Sequence, residues 1–169
     1  FDRGRGGGAG AVGCSVASII DDHLPGAVSI LADGERAERC RREGFLVNGR
    51  RRFFPVLGRD AAGPAGLVIV CVKTYQLATA IEDMRPAVGP GTLVLSLLNG
   101  ITSEDDLAAA FGAGHVLLAM ILGIDAVREG ASTRFSSAGR IHFGDAKNRA
   151  GAWSARVAAI ARFFDRAGV

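Results

Sequence analysis

Gly8-Ala9-Gly10-Ala11-Val12-Gly13 is the stretch that decides the fold of this 169-residue chain. Its spacing is G-x-G-x-x-G, which joins a first strand to a first helix in dinucleotide-binding folds. The first glycine allows a tight turn, the second lets the backbone approach a diphosphate, and the third lets helix and strand pack closely. The helix N-terminus that follows offers free N–H groups to the phosphates. We therefore predict that the cofactor is bound by Gly8, Ala9, Gly10, Ala11, Val12 and Gly13.

The sequence around this turn both supports and weakens the interpretation. Residues 12–20 read as a helix and residues 28–31 as a second strand, and Asp33 follows Gly13 by the 20 residues that place an acid near a ribose hydroxyl. Residues 1–7 are rich in glycine and arginine, whereas a buried first strand should be apolar. In a chain with 24 glycines, a chance match is the alternative for the hexapeptide alone. We expect residues 1–7 to be an irregular start, a degraded first strand, and residues 8–169 to be one dinucleotide-binding domain.

Composition narrows the possible functions. Hydrophobic residues make up 49% of the chain and charged residues 22%, which is typical of a globular domain. No apolar run approaches the ~20 residues of a membrane span, so we expect no membrane partner. The net charge is +3, and the short arginine tracts lack interleaved aromatic residues, so we expect no nucleic-acid partner. Three widely spaced cysteines predict neither a metal site nor a disulfide framework, and they favour a cytoplasmic location.

Short apolar runs alternate with helical stretches along the chain, which predicts an α/β fold with a Rossmann-like, doubly wound and mostly parallel sheet. The runs at residues 67–72 and 92–97 are typical of strands that are buried on both faces. Residues 45–56 read as a hairpin around Asn48-Gly49, the strongest short turn signal. Residues 132–137 and 140–143 read as a small antiparallel strand pair around Ala138-Gly139, and a last helix is predicted from about residue 152 to residue 167.

Polar side chains follow two of the predicted buried strands. Lys73 comes directly after one of them, and Asn99 comes shortly after the next. Open α/β sheets bind ligands at the carboxyl ends of their strands. A lysine there can pair with a phosphate or a carboxylate, and an asparagine side chain can both donate and accept hydrogen bonds. On position alone, a solvated lysine and an ordinary Asn-Gly turn are the alternatives.

Four motifs in order carry a resemblance to a known family: the glycine turn, Val72-Lys73-Thr74-Tyr75, Leu98-Asn99-Gly100-Ile101 and Gly139-Arg140-Ile141-His142-Phe143-Gly144. Together they resemble the N-terminal domain of ketopantoate reductases (2-dehydropantoate 2-reductases). The resemblance implies NADPH-dependent reduction of 2-dehydropantoate to pantoate, on the way to pantothenate and coenzyme A. It implies that Gly8, Gly10 and Gly13 hold the diphosphate, and that Lys73 and Asn99 lie beside cofactor and substrate, Asn99 as the catalytic positioning residue.

The resemblance also implies features that this sequence lacks. The family's catalytic lysine lies in an all-helical C-terminal domain, which is absent here, so we expect a fragment with little or no turnover of its own. The same resemblance suggests a homodimer. The family carries an arginine that meets the 2′-phosphate of NADPH where this chain has Asp33. A carboxylate there favours NADH, whereas Arg36, one helical turn on, could restore NADPH binding.

Two further interpretations remain open, and the sequence argues against a third. The chain could belong to a dehydrogenase of another 2-oxo or 3-oxo substrate. It could be a non-catalytic dinucleotide-binding module or a degenerate product without function. A methyltransferase-like fold also uses a glycine-rich first turn, but Lys73 and Asn99 together argue against it.

Overall fold

The structure, a computed structural model, describes the backbone of residues 4–7 and all of residues 10–147 and 152–169. The described strands are β1 (Gly4–Gly7), β2 (Val28–Leu31), β3 (Phe45–Val47), β4 (Arg50–Arg52), β5 (Val56–Leu57), β6 (Leu67–Val70), β7 (Leu93–Ser96), β8 (Val116–Ile124), β9 (Val127–Glu129), β10 (Ser132–Arg134) and β11 (Ala138–Gly144). The described α-helices are α1 (Ala11–His23), α2 (Gly34–Glu43), α3 (Leu77–Met84), α4 (Ser103–Phe111) and α5 (Ala155–Ala167).

Seven strands form the main sheet in the order β11-β8-β7-β6-β1-β2-β5. All neighbouring pairs are parallel except β8 and β11, which pair antiparallel at one edge. The strand order reverses direction on either side of β1, as in a doubly wound sheet. The predicted α/β class and the mostly parallel sheet are therefore confirmed.

The start of the chain contributes a strand to the main sheet, at the place where the sequence predicts an irregular start and a degraded first strand. Gly4–Gly7 form the strand between β2 and β6, with Gly4 opposite both Val28 and Leu67. The ladder is made by backbone N–H and C=O groups, which every one of these residues carries. Two well-formed neighbours therefore offer hydrogen bonds on both sides to a segment whose composition alone does not favour a strand.

The core has two halves, one on each face of the main sheet. Leu67 and Ile69 of β6 face α1 and α5, whereas Val68 and Val70 face α3 and α4. All four side chains are buried, and the adjacent strand β7 is buried in the same way. The predicted strands with two buried faces are thus confirmed, and helices cover both faces of the sheet.

A second, smaller sheet has the order β4-β3-β10-β9 and packs against α1. The predicted hairpin joins β3 to β4 through Asn48 (φ 47°) and Gly49 (φ 77°), the left-handed pair that a type I′ turn needs. The hairpin strand is shorter than predicted, however. It ends at Arg52, and Val56–Leu57 instead form β5 at the edge of the main sheet.

The prediction that residues 132–137 pair with residues 140–143 is wrong, because each segment pairs with a different strand. Antiparallel pairs do occur in this region. β10 pairs with β3 and β9 in the small sheet, whereas β11 pairs with β8 in the main sheet. The chain between them is held by Asn48, whose side chain donates to the Phe135 carbonyl and accepts from the Phe135 amide. β8 is nine residues long, so it offers β11 a longer hydrogen-bonded ladder than the three-residue β10 could. β11 therefore pairs with β8, although β10 is nearer in the sequence.

Candidate nucleotide-binding cleft

A cleft of about 950 Å³ opens at the carboxyl ends of the central parallel strands. It is bounded by the N-terminus of α1, one face of α2, the ends of β6, β7 and β8, and the small sheet. Six of the residues predicted from the sequence line it: Gly10, Ala11, Val12, Arg36, Lys73 and Asn99. Gly13 and Asp33 do not line it, and Gly8 and Ala9 lie outside the described residues.

The N-terminus of α1 forms the floor of the cleft. Gly10 is the N-cap residue, and no described side chain accepts a hydrogen bond from the first-turn amides. A Cβ atom at Gly10 would lie 2.9 Å from the Cys71 carbonyl oxygen, so only glycine lets helix and strand approach this closely. The N–H groups of a first helical turn have no intrahelical partner, and together with the positive end of the helix dipole they make this floor suited to an anion.

Lys73 lies at the mouth of the cleft, just after β6. Its side chain is exposed, while its backbone amide donates to Oε1 of Gln76 at 3.3 Å and its carbonyl accepts from the Gln76 amide at 2.8 Å. Gln76 also lines the cleft. The turn after β6 is therefore fixed by its own hydrogen bonds, and the ammonium group remains available to a ligand.

Asn99 follows β7, the parallel neighbour of β6. Below it, the hydroxyls of Ser96 and Ser103 lie 2.7 Å apart and are buried, which ties the end of β7 to the start of α4. The Leu97 amide donates to the Val70 carbonyl at 2.9 Å and joins this loop to the end of β6. The parallel order predicted from the sequence thus brings Lys73 and Asn99 to one cleft.

Asp33 and Arg36 occupy different places relative to the cleft. The Asp33 carboxylate caps α2 by accepting from the Gly34 amide at 3.0 Å, and its other oxygen lies 3.8 Å from Nε of Arg59. Arg36 lines both the main cleft and an adjoining one of about 280 Å³, which also has Tyr75 and Gln76 in its wall. Of the two predicted ribose-end residues, the structure brings only Arg36 into the cleft.

All three cysteines line the cleft. Burial raises the pKa of the Cys71 thiol to about 12. Burial also raises the pKa of Cys14, an effect partly offset by a hydrogen bond with Thr133 and by the charge of Arg128. Thiols with raised pKa values stay protonated near neutral pH and are poor nucleophiles. Among the described residues, no group of His, Cys, Asp and Glu side chains could hold a metal ion.

Sequence reasoning missed Arg39 and Arg128, which also line the cleft. Arg39 could have been found, because Arg36, Arg39, Cys40 and Glu43 share one face of α2 at helical spacing and all four line the cleft. Arg128 carries no such signal, since it reaches the cleft only through the pairing of the small sheet.

No helix in the described part of the chain is long and apolar enough to cross a membrane.

Comparison with known proteins shows which family this chain resembles. The sequence model described as ketopantoate reductase PanE/ApbA matches residues 7–148. A curated relative, an uncharacterized oxidoreductase, YkpB, of Bacillus subtilis (strain 168), is 27% identical over 104 residues, which are 59% of this chain and 34% of the relative.

Solved structures share the fold. A 2-dehydropantoate 2-reductase from Geobacter metallireducens GS-15 is 28% identical with a TM-score of 0.78, over 98% of this chain and 56% of that one. A protein assigned as a ketopantoate reductase from Ralstonia solanacearum MolK2 has 24% identity and a TM-score of 0.82, over 100% of this chain and 59% of that one. A D-mandelate dehydrogenase solved with NADH and anilino(oxo)acetate has 20% identity and a TM-score of 0.79, over 98% of this chain and 55% of that one. The chain thus spans little more than half the length of these structures.

Proposed function

Because this chain belongs to the ketopantoate reductase family, we propose that it is the nucleotide-binding half of an oxidoreductase that reduces 2-dehydropantoate to pantoate with NADPH. The observation that carries the proposal is the convergence of the α1 N-terminus, Lys73 and Asn99 on one cleft. An anion-binding helix end, a cation and a neutral hydrogen-bonding group are what a dinucleotide and an oxo acid require together.

The diphosphate of the cofactor is proposed to lie against the start of α1. Gly10 allows the close approach, and the amides of Ala11, Val12 and Gly13 belong to the first turn of the helix, where a backbone N–H has no intrahelical partner. Gly8 and Ala9 are proposed to complete the turn. The adjoining cleft that contains Tyr75 and Gln76 is proposed to receive the adenine, since an exposed aromatic ring offers a face on which a base can stack.

The nicotinamide half is proposed to extend toward Lys73 and Asn99. The Asn99 amide is suited to hold a ribose or substrate hydroxyl, and the Lys73 ammonium to pair with a phosphate or with the substrate carboxylate. Hydride transfer to a ketone also needs a proton donor on the carbonyl oxygen. The family resemblance places that donor in a helical domain beyond the matched residues, so we expect these residues alone to bind cofactor with little turnover.

Titration of the cofactor tests the proposal. We expect NADPH to bind the wild-type chain, and Lys73→Ala to weaken the binding about tenfold or more, because a charge-assisted contact is worth about 1.5–3 kcal/mol. The matched control is Lys147→Ala, which removes the other lysine of the chain, an exposed residue away from the cleft. Equal loss in both variants, or no binding of NADPH or NADH to the wild type, would contradict the proposal.

A second candidate function is reduction of a different 2-oxo acid. It is favoured by the fold shared with D-mandelate dehydrogenase, whose structure was solved with NADH and anilino(oxo)acetate. The degenerate, non-binding alternative is excluded if NADH or NADPH raises the melting temperature of the chain.

A further inference from the structure

We propose that Arg128, from the small sheet, is a binding residue for the diphosphate of the dinucleotide and lies across the cleft from the N-terminus of α1. The inference rests on the proposed function and adds a residue that is 115 positions beyond the glycine turn in sequence. Three observations carry it: the register of the small sheet, the packing of that sheet on α1, and the charge of the cleft wall.

The register fixes the direction of the Arg128 side chain. Arg128 on β9 lies directly opposite Thr133 on β10. Directly opposed residues of antiparallel strands project from the same face of a sheet. Thr133 is buried and makes a hydrogen bond with the Cys14 thiol in the first turns of α1. The face of the small sheet that bears Arg128 is therefore the face turned toward α1.

Packing places the guanidinium group close to the proposed phosphates. Both β9 and β10 pack against α1, and Arg128 lines the same cleft as Gly10, Ala11 and Val12. The Arg128 Nε donates to the Gly130 carbonyl at 3.1 Å, which holds the side chain in a defined direction. A guanidinium presents five N–H donors in a planar fork, a geometry that matches the oxygens of a phosphate.

The charge of the wall fits a polyanion. The cleft is lined by four cationic side chains, those of Arg36, Arg39, Lys73 and Arg128, and by one carboxylate, that of Glu43. Glu43 is paired with Arg42 at 2.8 Å, and Glu38 with Arg41, whereas neither Arg36 nor Arg39 forms an ion pair with a carboxylate in residues 10–147 or 152–169. A cleft walled by one sign of charge concentrates ligands of the opposite sign.

The test compares Arg128→Gln with Arg134→Gln, which removes an exposed arginine of the same small sheet that does not line the cleft. Binding of NADPH, NADH, ADP-ribose and adenosine is measured by calorimetry. We expect Arg128→Gln to weaken NADPH, NADH and ADP-ribose by the same factor, about 10- to 50-fold, and to leave adenosine unchanged, since only adenosine lacks the diphosphate. Arg134→Gln should bind all four ligands as the wild type does.

Two further measurements keep the outcomes distinct. Arg128→Lys should recover part of the lost affinity, and the salt dependence of ADP-ribose binding should be shallower in Arg128→Gln than in the wild type. Wild-type-like ADP-ribose binding by Arg128→Gln overturns the inference while leaving the proposed function standing. A loss confined to NADPH also overturns it, because it assigns Arg128 to the 2′-phosphate. Failure of the wild type to bind any dinucleotide overturns the proposed function itself.

Discussion

Arg36 favours NADPH, whereas Asp33 favours NADH, and the positions of the two side chains favour NADPH. Arg36 lines the cleft, whereas the Asp33 carboxylate caps α2. We therefore expect tighter binding of NADPH than of NADH. Arg36→Gln should weaken NADPH about 10- to 100-fold more than NADH, because the 2′-phosphate loses a charge-assisted hydrogen bond.

The matched control for Arg36 is Arg41→Gln, an exposed arginine on the same helix that pairs with Glu38, because neither Arg41 nor Glu38 lines the cleft. It should leave both dissociation constants unchanged in the same titrations. Tighter binding of NADH than of NADPH by the wild type would instead assign the choice of cofactor to Asp33.

Gly10 is constrained by space and not by its dihedral angles. Its φ of −69° suits any residue, but a Cβ would lie 2.9 Å from the Cys71 carbonyl oxygen. Gly10→Ala must push α1 away from β6, so we expect the free energy of unfolding to fall by about 1–3 kcal/mol in urea titrations. Gly91→Ala, where a Cβ meets nothing within 4 Å, is the control. Equal stability of the two variants would refute the tight helix–strand contact.

The small sheet is tied to the helix beneath it by an ion pair between β4 and the end of α1. Arg52 donates from Nη1 and Nη2 to the two carboxylate oxygens of Asp22, both at 2.8 Å. The Arg52 side chain is 14% exposed and the Asp22 side chain 47%. This hydrogen bonding holds the pKa of Asp22 below its ordinary value.

Asp22→Asn should therefore lower the free energy of unfolding at pH 7 by no more than about 1 kcal/mol, since solvent screens a half-exposed pair. A carboxylate with a lowered pKa stabilises the fold fully above the unfolded pKa of about 3.9 and loses that effect as the pH falls through the folded pKa. The difference between wild type and variant should thus shrink below about pH 4, with the exposed Asp60→Asn as control. A difference that is constant from pH 7 to pH 3 would contradict the ion pair.

The elements that sequence reasoning predicted well are those whose signals are local. The unbroken apolar run at residues 67–70 predicts a strand that is buried on both faces. The dipeptide Asn48-Gly49 predicts a hairpin turn by its composition. Gly4–Gly7 carry no such signal, because that strand is defined by hydrogen bonds from β2 and β6. The partners of β10 and β11 were missed for the same reason: pairing across the chain leaves no trace in neighbouring residues.

For the molecule as a whole, the residues of the cleft likewise divide into those that the sequence could place and those that it could not. Lys73 and Asn99 could be placed together from the sequence, because parallel neighbours end at one edge of a sheet. Arg128 could not, since it reaches the cleft through a second sheet assembled from β3, β4, β9 and β10. The cleft is therefore a product of the whole fold: the start of α1 supplies the floor, and α2, the turn after β6 and the small sheet together supply the cationic side chains.

A crystal structure of the chain with NADPH is the most direct test of this arrangement. We expect the diphosphate within hydrogen-bond distance of the first-turn amides of α1, with Lys73 and Asn99 both in contact with the same bound molecule. NADPH bound at another surface, or a diphosphate turned away from the start of α1, would contradict it.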